Sequence, residues 1–308
     1  MTPTAFITHP DCWQHNMGAM HPESPDRLSA IRDQMIASGL DQYVDSVEAP
    51  IASRENLLLA HTDEYIDDIH AAVPERGITH LDPDTAMCPQ TLKAALRAAG
   101  AGVKAVDLVM GGDVRSVFCA VRPPGHHAER MRAMGFCFFN NVAIAALHAL
   151  EHHRLARVAV IDFDVHHGNG TEDILAGESR AMMLSFFQHP LYPYSGTKPL
   201  DDNMRNTPLP AGTRGDAVRA LVEEKWLPAL EMFQPEMLVI SAGFDAHYED
   251  DMASMALVEA DYAWITARLR EFADQHCKGR IVSMLEGGYA LSALGRSVVA
   301  HVKALAGI

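Results

Sequence analysis

Residues 158–171 read V-A-V-I-D-F-D-V-H-H-G-N-G-T. The run Val158–Ile161 is short, apolar and mostly β-branched, the pattern of a strand buried on both faces. It leads directly into Asp162, Asp164, His166 and His167. An unpartnered buried carboxylate is expensive to desolvate. Something must therefore neutralise Asp162 and Asp164, either a cation or a hydrogen-bond network.

The same pattern recurs along the chain. Ser116–Val121, Ala181–Phe187, Met237–Ser241 and Arg280–Leu285 also read as buried strands. Between the strands lie helical patterns at Thr91–Val109, Asn141–His153, Gly215–Phe233 and Glu259–Gln275. Alternating strands and helices predict an α/β fold with a mainly parallel sheet. With no internal repeat and no Ser/Gly linker, one domain over residues 1–308 is the expectation. Residues 188–214, rich in Pro, Tyr, Gly and Asn, read as a long functional loop. Four polar clusters follow predicted strands: R-P-P-G-H-H (122–127), D-F-D-V-H-H (162–167), S-A-G-F-D-A-H (241–247) and E-G-G-Y (286–289). The C-terminal edge of a parallel sheet is where ligands bind.

The totals bound the rest. With 308 residues the chain is long enough to bury a deep core. A net charge of -15 disfavours unspecific binding to nucleic acid or anionic membranes. The five cysteines are odd in number and form no C-x-x-C pair, which argues against a disulfide framework and for a reducing compartment. The N-terminus has no signal-peptide pattern and no apolar run is long enough to span a bilayer, so a cytoplasmic location is expected.

Asp162, Asp164 and His166 fall at i, i+2, i+4 and share one face if the strand continues. Imidazole and carboxylate suit a hard or borderline ion such as Zn²⁺, Fe²⁺ or Mn²⁺. Asp245 offers a further ligand from another strand, and a set of two Asp and one His leaves positions open for water and substrate. The competing reading has the carboxylates capping backbone amides and pairing with Arg122 or Arg157. Three carboxylates crowd one ion, so Asp162 is the candidate to orient a histidine instead. Pro123 and Pro124 prevent a regular strand before His126 and His127. Both imidazoles can then face one cavity as an acid/base pair. Tyr289 follows two glycines that admit close backbone approach, and a phenol there can donate to an oxyanion. The aromatic run G-F-C-F-F-N-N (135–141) reads either as core packing, for at least one of its three phenylalanines, or as a wall of a narrow apolar channel.

These motifs, in this order, resemble the histone deacetylase/acetylpolyamine amidohydrolase family, and H-P-E-S-P-D-R (21–27) resembles its N-terminal signature. Asn169, together with S-A-G-F-D, resembles the class II branch with its bacterial deacetylase-like enzymes. The resemblance implies an arginase/deacetylase-like three-layer α/β/α fold and one catalytic Zn²⁺ held by Asp164, His166 and Asp245. It implies an acid/base pair of His126, backed by Asp162, and His127, backed by Asn169. Tyr289 becomes the carbonyl polariser. Gly135, Phe136 and Gly287 line the substrate, with a second wall from Leu191 or Tyr192. It also implies K⁺ on oxygens of Asp162, Asp164, His166, Ser185 and Phe186. The implied reaction is amide hydrolysis: His127 takes the water proton and a protonated histidine assists amine departure. The implied substrate is an acetylated lysine peptide or a small acetylated amine, and a homo-oligomer is possible.

Three rivals stand beside this reading. Acetylpolyamine-specific relatives use an acidic gate; Met252 falls at the gate position here, although Glu249, Asp250 and Asp251 are close. A dinuclear Mn²⁺ ureohydrolase of the same fold needs more paired carboxylates; Asp245-x-His247 is its only hint, and His247 reads as a surface loop residue. A metal-stabilised protein without turnover is the third, against which stand His126, His127 and Tyr289.

Overall fold

A computed structural model describes residues 3–308. Among the described residues ten strands form in chain order: β1 (Thr4–Thr8), β2 (Val44–Glu48), β3 (Thr79–His80), β4 (Ala86–Met87), β5 (Ser116–Cys119), β6 (Val158–Asp162), β7 (Ala181–Gln188), β8 (Met204–Leu209), β9 (Leu238–Ala242) and β10 (Ile281–Leu285). β3 and β4 make a small antiparallel ribbon. The other eight form one sheet in the order β2-β1-β5-β10-β9-β6-β7-β8. Every pairing in it is parallel.

Right-handed crossovers that move across the sheet in opposite directions place their helices on opposite faces. Helices Thr91–Gly111 and Asn141–Glu151 pack together over one face, and Asp26–Ala37, Glu259–His276 and Leu291–Ala306 pack together over the other. The result is the three-layer α/β/α architecture expected. The central strands are buried along their whole length. That explains their mainly apolar sequences, broken only by Ser116, Asp162, Ser241 and Ser283, since a strand covered on both faces has no polar side to alternate with.

The structure departs from the sequence reading at the margins. β1 and β2 were not legible: T-A-F-I-T and V-D-S-V-E mix polar and apolar residues, and β2 is a largely exposed edge. Segment 188–214 is not one loop, because it contains the opposite edge strand β8. β8 carries Pro208, which an edge strand tolerates and which disguised it. Helices Asp26–Ala37 and Leu291–Ala306 also went unread. The helical run predicted over Gly215–Phe233 forms, with a π-helical turn at Val222–Trp226.

Candidate active site

β5, β10, β9 and β6 are neighbours at the centre of the sheet, and the four polar clusters leave their C-terminal ends. Asp162, the last residue of β6, lies across the ladder from Ser185 on one side and Ser241 on the other. The chain then leaves the sheet. Asp162 Oδ1 accepts from the Asp164 amide at 3.1 Å, and Asp164 Oδ1 from the His166 amide at 2.9 Å. These turns aim Asp164 and His166 at Asp245. His166 Nδ1 lies 3.1 Å from Asp164 Oδ1 and 3.1 Å from Asp245 Oδ2. One ligand atom from each residue falls within 4.8 Å of the others, and all three side chains are buried.

The electrostatics of this cluster fit a divalent cation. Burial, together with the neighbouring Asp164 charge, raises the Asp245 carboxyl to about 6. Burial pushes His166 down, but its hydrogen bonds to Asp164 and Asp245 outweigh it and raise the imidazole to about 10. Two buried carboxylates thus hold a positive charge between them, and a cation can replace that proton. The second oxygens are fixed by the backbone: Val165 N donates to Asp245 Oδ1 at 3.0 Å and Gly287 N to Asp164 Oδ2 at 2.9 Å. The amide-capping reading therefore describes the same carboxylates from behind. Its arginine half fails, because Arg122 pairs with Glu23 and Arg157 donates to the Gln234 carbonyl.

His126 and His127 stand beside the cluster with ring centroids 4.1 Å apart. His126 Nδ1 lies 3.1 Å from Asp162 Oδ2, so the structure brings these two predicted residues together. His127 Nδ1 lies 2.7 Å from Asn169 Oδ1, while Asn169 Nδ2 donates to Glu129 Oε1 at 2.8 Å. The Asn169 amide is thereby oriented with its oxygen towards His127. His127 Nδ1 must carry the proton, which leaves Nε2 as a bare acceptor. Burial and the charges of His126 and His166 hold His127 well below the ordinary imidazole value, hence neutral. Burial also lowers His126, but Asp164 and Asp162 more than reverse this and raise it to about 10. A cation on Asp164 would weaken that pull. The two adjacent imidazoles therefore have different characters, one acceptor and one donor.

The remaining site residues are distributed as follows. The Phe136 ring meets Tyr289 edge-on at 6.0 Å, and Tyr192 meets His127 at 5.3 Å and His166 at 6.4 Å. Of the two residues offered for the second wall, Tyr192 faces the histidines, whereas Leu191 packs on the hydrophobic core. Burial keeps the Tyr289 phenol protonated, well above its ordinary range, although Arg27 over its ring opposes this. Gly135 has φ of 55°, and a Cβ there would lie 2.4 Å from the His127 ring. A Cβ on Gly287 would lie 2.0 Å from Asp245 Oδ2. Ser185 points its hydroxyl at Asn206, 3.2 Å away, and Phe186 stacks on Trp226. Met252 is held by its amide on Asp250 Oδ1 at 3.1 Å and is not drawn into the cluster. His247 is fully buried, contrary to the surface position expected. Its Nδ1 accepts from the Glu249 amide at 3.1 Å, fixing the loop beyond Asp245 rather than joining the ligand set.

Several supporting residues escaped the sequence reading. Glu23 is buried between Arg122 and Arg27, and Arg27 donates to the Gly288 carbonyl at 2.6 Å. Glu286 Oε2 accepts from the Gly125 and His126 amides at 2.7 and 3.1 Å. Asp250 Oδ2 accepts from the Tyr289 and Ala290 amides at 2.6 and 3.0 Å. Glu23, Arg27 and Glu286 all lay within quoted motifs, but only three-dimensional proximity shows what they hold.

Comparison with known proteins shows the family to which this fold belongs. A histone deacetylase domain model matches residues 21–305. The chain is 34% identical over 313 residues to a protein of Archaeoglobus fulgidus described as a probable deacetylase, covering 99% of this chain and 86% of that one. It is 36% identical over 297 residues to the histone deacetylase-like amidohydrolase of Pseudomonas aeruginosa, covering 94% of this chain and 78% of that one. The crystal structure of the HDA15 HD domain superposes with a TM-score of 0.94 at 30% identity, over 99% of this chain and 88% of that one. The chain belongs to the histone deacetylase family, and the first two of these relatives are named as a probable deacetylase and a histone deacetylase-like amidohydrolase.

Proposed function

We propose that the chain is a zinc-dependent amidohydrolase that removes acetyl or related short acyl groups from lysine side chains or similar amines. One observation carries this reading: the buried Asp164–His166–Asp245 group faces a histidine pair in which each imidazole has its own acceptor. Asp164, His166 and Asp245 would hold the ion. Such an ion, when bound, polarises a carbonyl and makes water acidic enough to deprotonate near neutral pH. His127 Nε2 takes the proton of the attacking water, and its Nδ1–H stays on Asn169. His126, charged and backed by Asp162, gives a proton to the departing amine. Tyr289 donates to the developing oxyanion, and Phe136 and Tyr192 guide the acylated side chain. K⁺ is proposed beside Asp162, Asp164 and His166 with Ser185 and Phe186, a reading supported by Ser185 standing opposite Asp162. Residues 1–308 act as one catalytic domain, and five free cysteines fit a reducing cytoplasm.

The acetylpolyamine alternative has less support. Glu249 pairs with Arg296 and Asp250 holds the Tyr289 loop, so both are engaged within the fold rather than free to form a cationic gate. The test compares rates of the zinc-loaded protein on acetyl-lysine peptide, acetylputrescine and a trifluoroacetyl-lysine amide, with and without a hydroxamate chelator. Preference for the lysine substrates supports the proposal, and much faster turnover of acetylputrescine replaces it with the polyamine reading. Absence of chelator-sensitive turnover on all three would refute it.

A further inference from the structure

Helix Asn141–Glu151 runs into the sequence His148-x-x-x-His152-His153. An i, i+4 spacing puts His148 and His152 on one face, and their rings stack at 4.8 Å with 11° between planes. His153 turns back so that its ring lies 5.4 Å from His148 and 5.0 Å from His152. From helix Thr91–Gly111, Asp107 enters the group: its Oδ1 lies 2.9 Å from His148 Nε2 and 2.7 Å from His153 Nε2. One ligand atom from each of the four lies within 4.8 Å of the others. The catalytic residues use none of them. The Asn140 end of the same helix donates to the Ala128 carbonyl beside His127, and the cluster begins at His148, about 12 Å further along the axis at 1.5 Å per residue.

We propose that Asp107, His148, His152 and His153 form a second metal site, for a divalent ion of the zinc class. Three imidazoles and one carboxylate are a borderline donor set that completes a tetrahedron. Zinc bonds of roughly 2.0–2.2 Å place neighbouring ligand atoms about 3.3–3.5 Å apart. The two Asp107 contacts need open by only about half an ångström, which the half-exposed Asp107 side chain can give, and the exposed His152 ring, now parallel to His148, must swing to aim a nitrogen at the same point. The last carbonyls of a helix also favour a cation. A carboxylate bridging two imidazoles accounts for His148 and His153 without an ion. It does not account for His152, which stacks on His148 outside those hydrogen bonds. A bound ion would clamp the two helices together at the end remote from the catalytic centre.

The experiment is a zinc count per folded chain after dialysis against buffered zinc, with the Tm read in parallel. We expect two equivalents for the wild type, one for His152→Ala/His153→Ala and one for Asp164→Asn. Deacetylase activity of the double histidine variant should stay within twofold of wild type. In Asp164→Asn, Co²⁺ should give the visible absorption of a tetrahedral site, and adding the two histidine substitutions should abolish it. Asp107→Asn, which preserves side-chain shape, should weaken the second equivalent at least tenfold and guards against misfolding of the double variant. A single equivalent in the wild type that survives in the double histidine variant overturns the proposal, as does a second equivalent that survives in both the double variant and Asp107→Asn; a single equivalent lost in the double histidine variant but kept in Asp164→Asn supports this site and counts instead against zinc at Asp164. A wild-type count of two would not by itself indicate a dinuclear centre, because the histidine variants assign the second ion.

Discussion

Asn169 shows how one side chain sets the chemistry of another. Held by Glu129 on its nitrogen side, it presents only oxygen to His127, and so fixes which imidazole nitrogen is free. Because His127 is held below its ordinary value, its useful neutral form persists into mildly acidic solution. Activity should therefore fall on acidification with a kcat/KM midpoint below the ordinary 6.5, and a pH–rate profile with its acid limb above that value would contradict the assignment. Tyr289→Phe should lower kcat by on the order of 10²–10³, the usual loss for one oxyanion donor, while metal content stays unchanged. Residue types were the most legible part of the sequence. Asp164, His166, His126 and His127 announced themselves because charged groups follow directly on apolar strands. Glu23 and Asp250 did not, since their partners lie far off in sequence or are backbone amides that no motif displays.

At the scale of elements, the central strands declared themselves and the edges did not. Val158–Ile161 is covered on both faces and apolar throughout, whereas β2 and β8 carry exposed positions and the mixed composition of loops. The catalytic loops are tied together by ion pairs rather than by strand pairing. Glu23 accepts from Arg122, which follows β5, and from Arg27 in helix Asp26–Ala37, which in turn grips the carbonyl of Gly288. Burial alone would raise the Glu23 carboxyl, but Arg122, His15 and Arg27 together hold it well below 4.5. A depressed carboxyl contributes stability above its unfolded value and loses it as pH falls towards the folded one. Glu23→Gln should thus cost roughly 3–5 kcal/mol near neutral pH, because two arginines are left buried without their anion. The penalty should shrink below pH 4.5, and denaturant unfolding at both pH values measures it.

For the whole molecule, the proposed catalytic centre sits at the centre of the sheet, so a cation held there would be coupled to folding. Zinc at a hundredfold excess over its Kd should add about 2.7 kcal/mol to stability. Calorimetry in the His152→Ala/His153→Ala background isolates this effect, and Asp164→Asn should remove what remains; an unchanged melting curve on adding zinc to that background would exclude a filled centre. The strand order has a consequence for synthesis. β10 is the last strand made, yet it lies between β5 and β9. Until it leaves the ribosome, β2-β1-β5 and β9-β6-β7-β8 are two half-sheets with open hydrogen-bonding edges facing each other across a gap one strand wide. At about 5–20 residues per second the β5 edge waits on the order of ten seconds for its partner. A nascent chain stalled before Ile281 should therefore be a preferred client for chaperones, and a separate peptide carrying the missing strand, added in trans, should be able to close it.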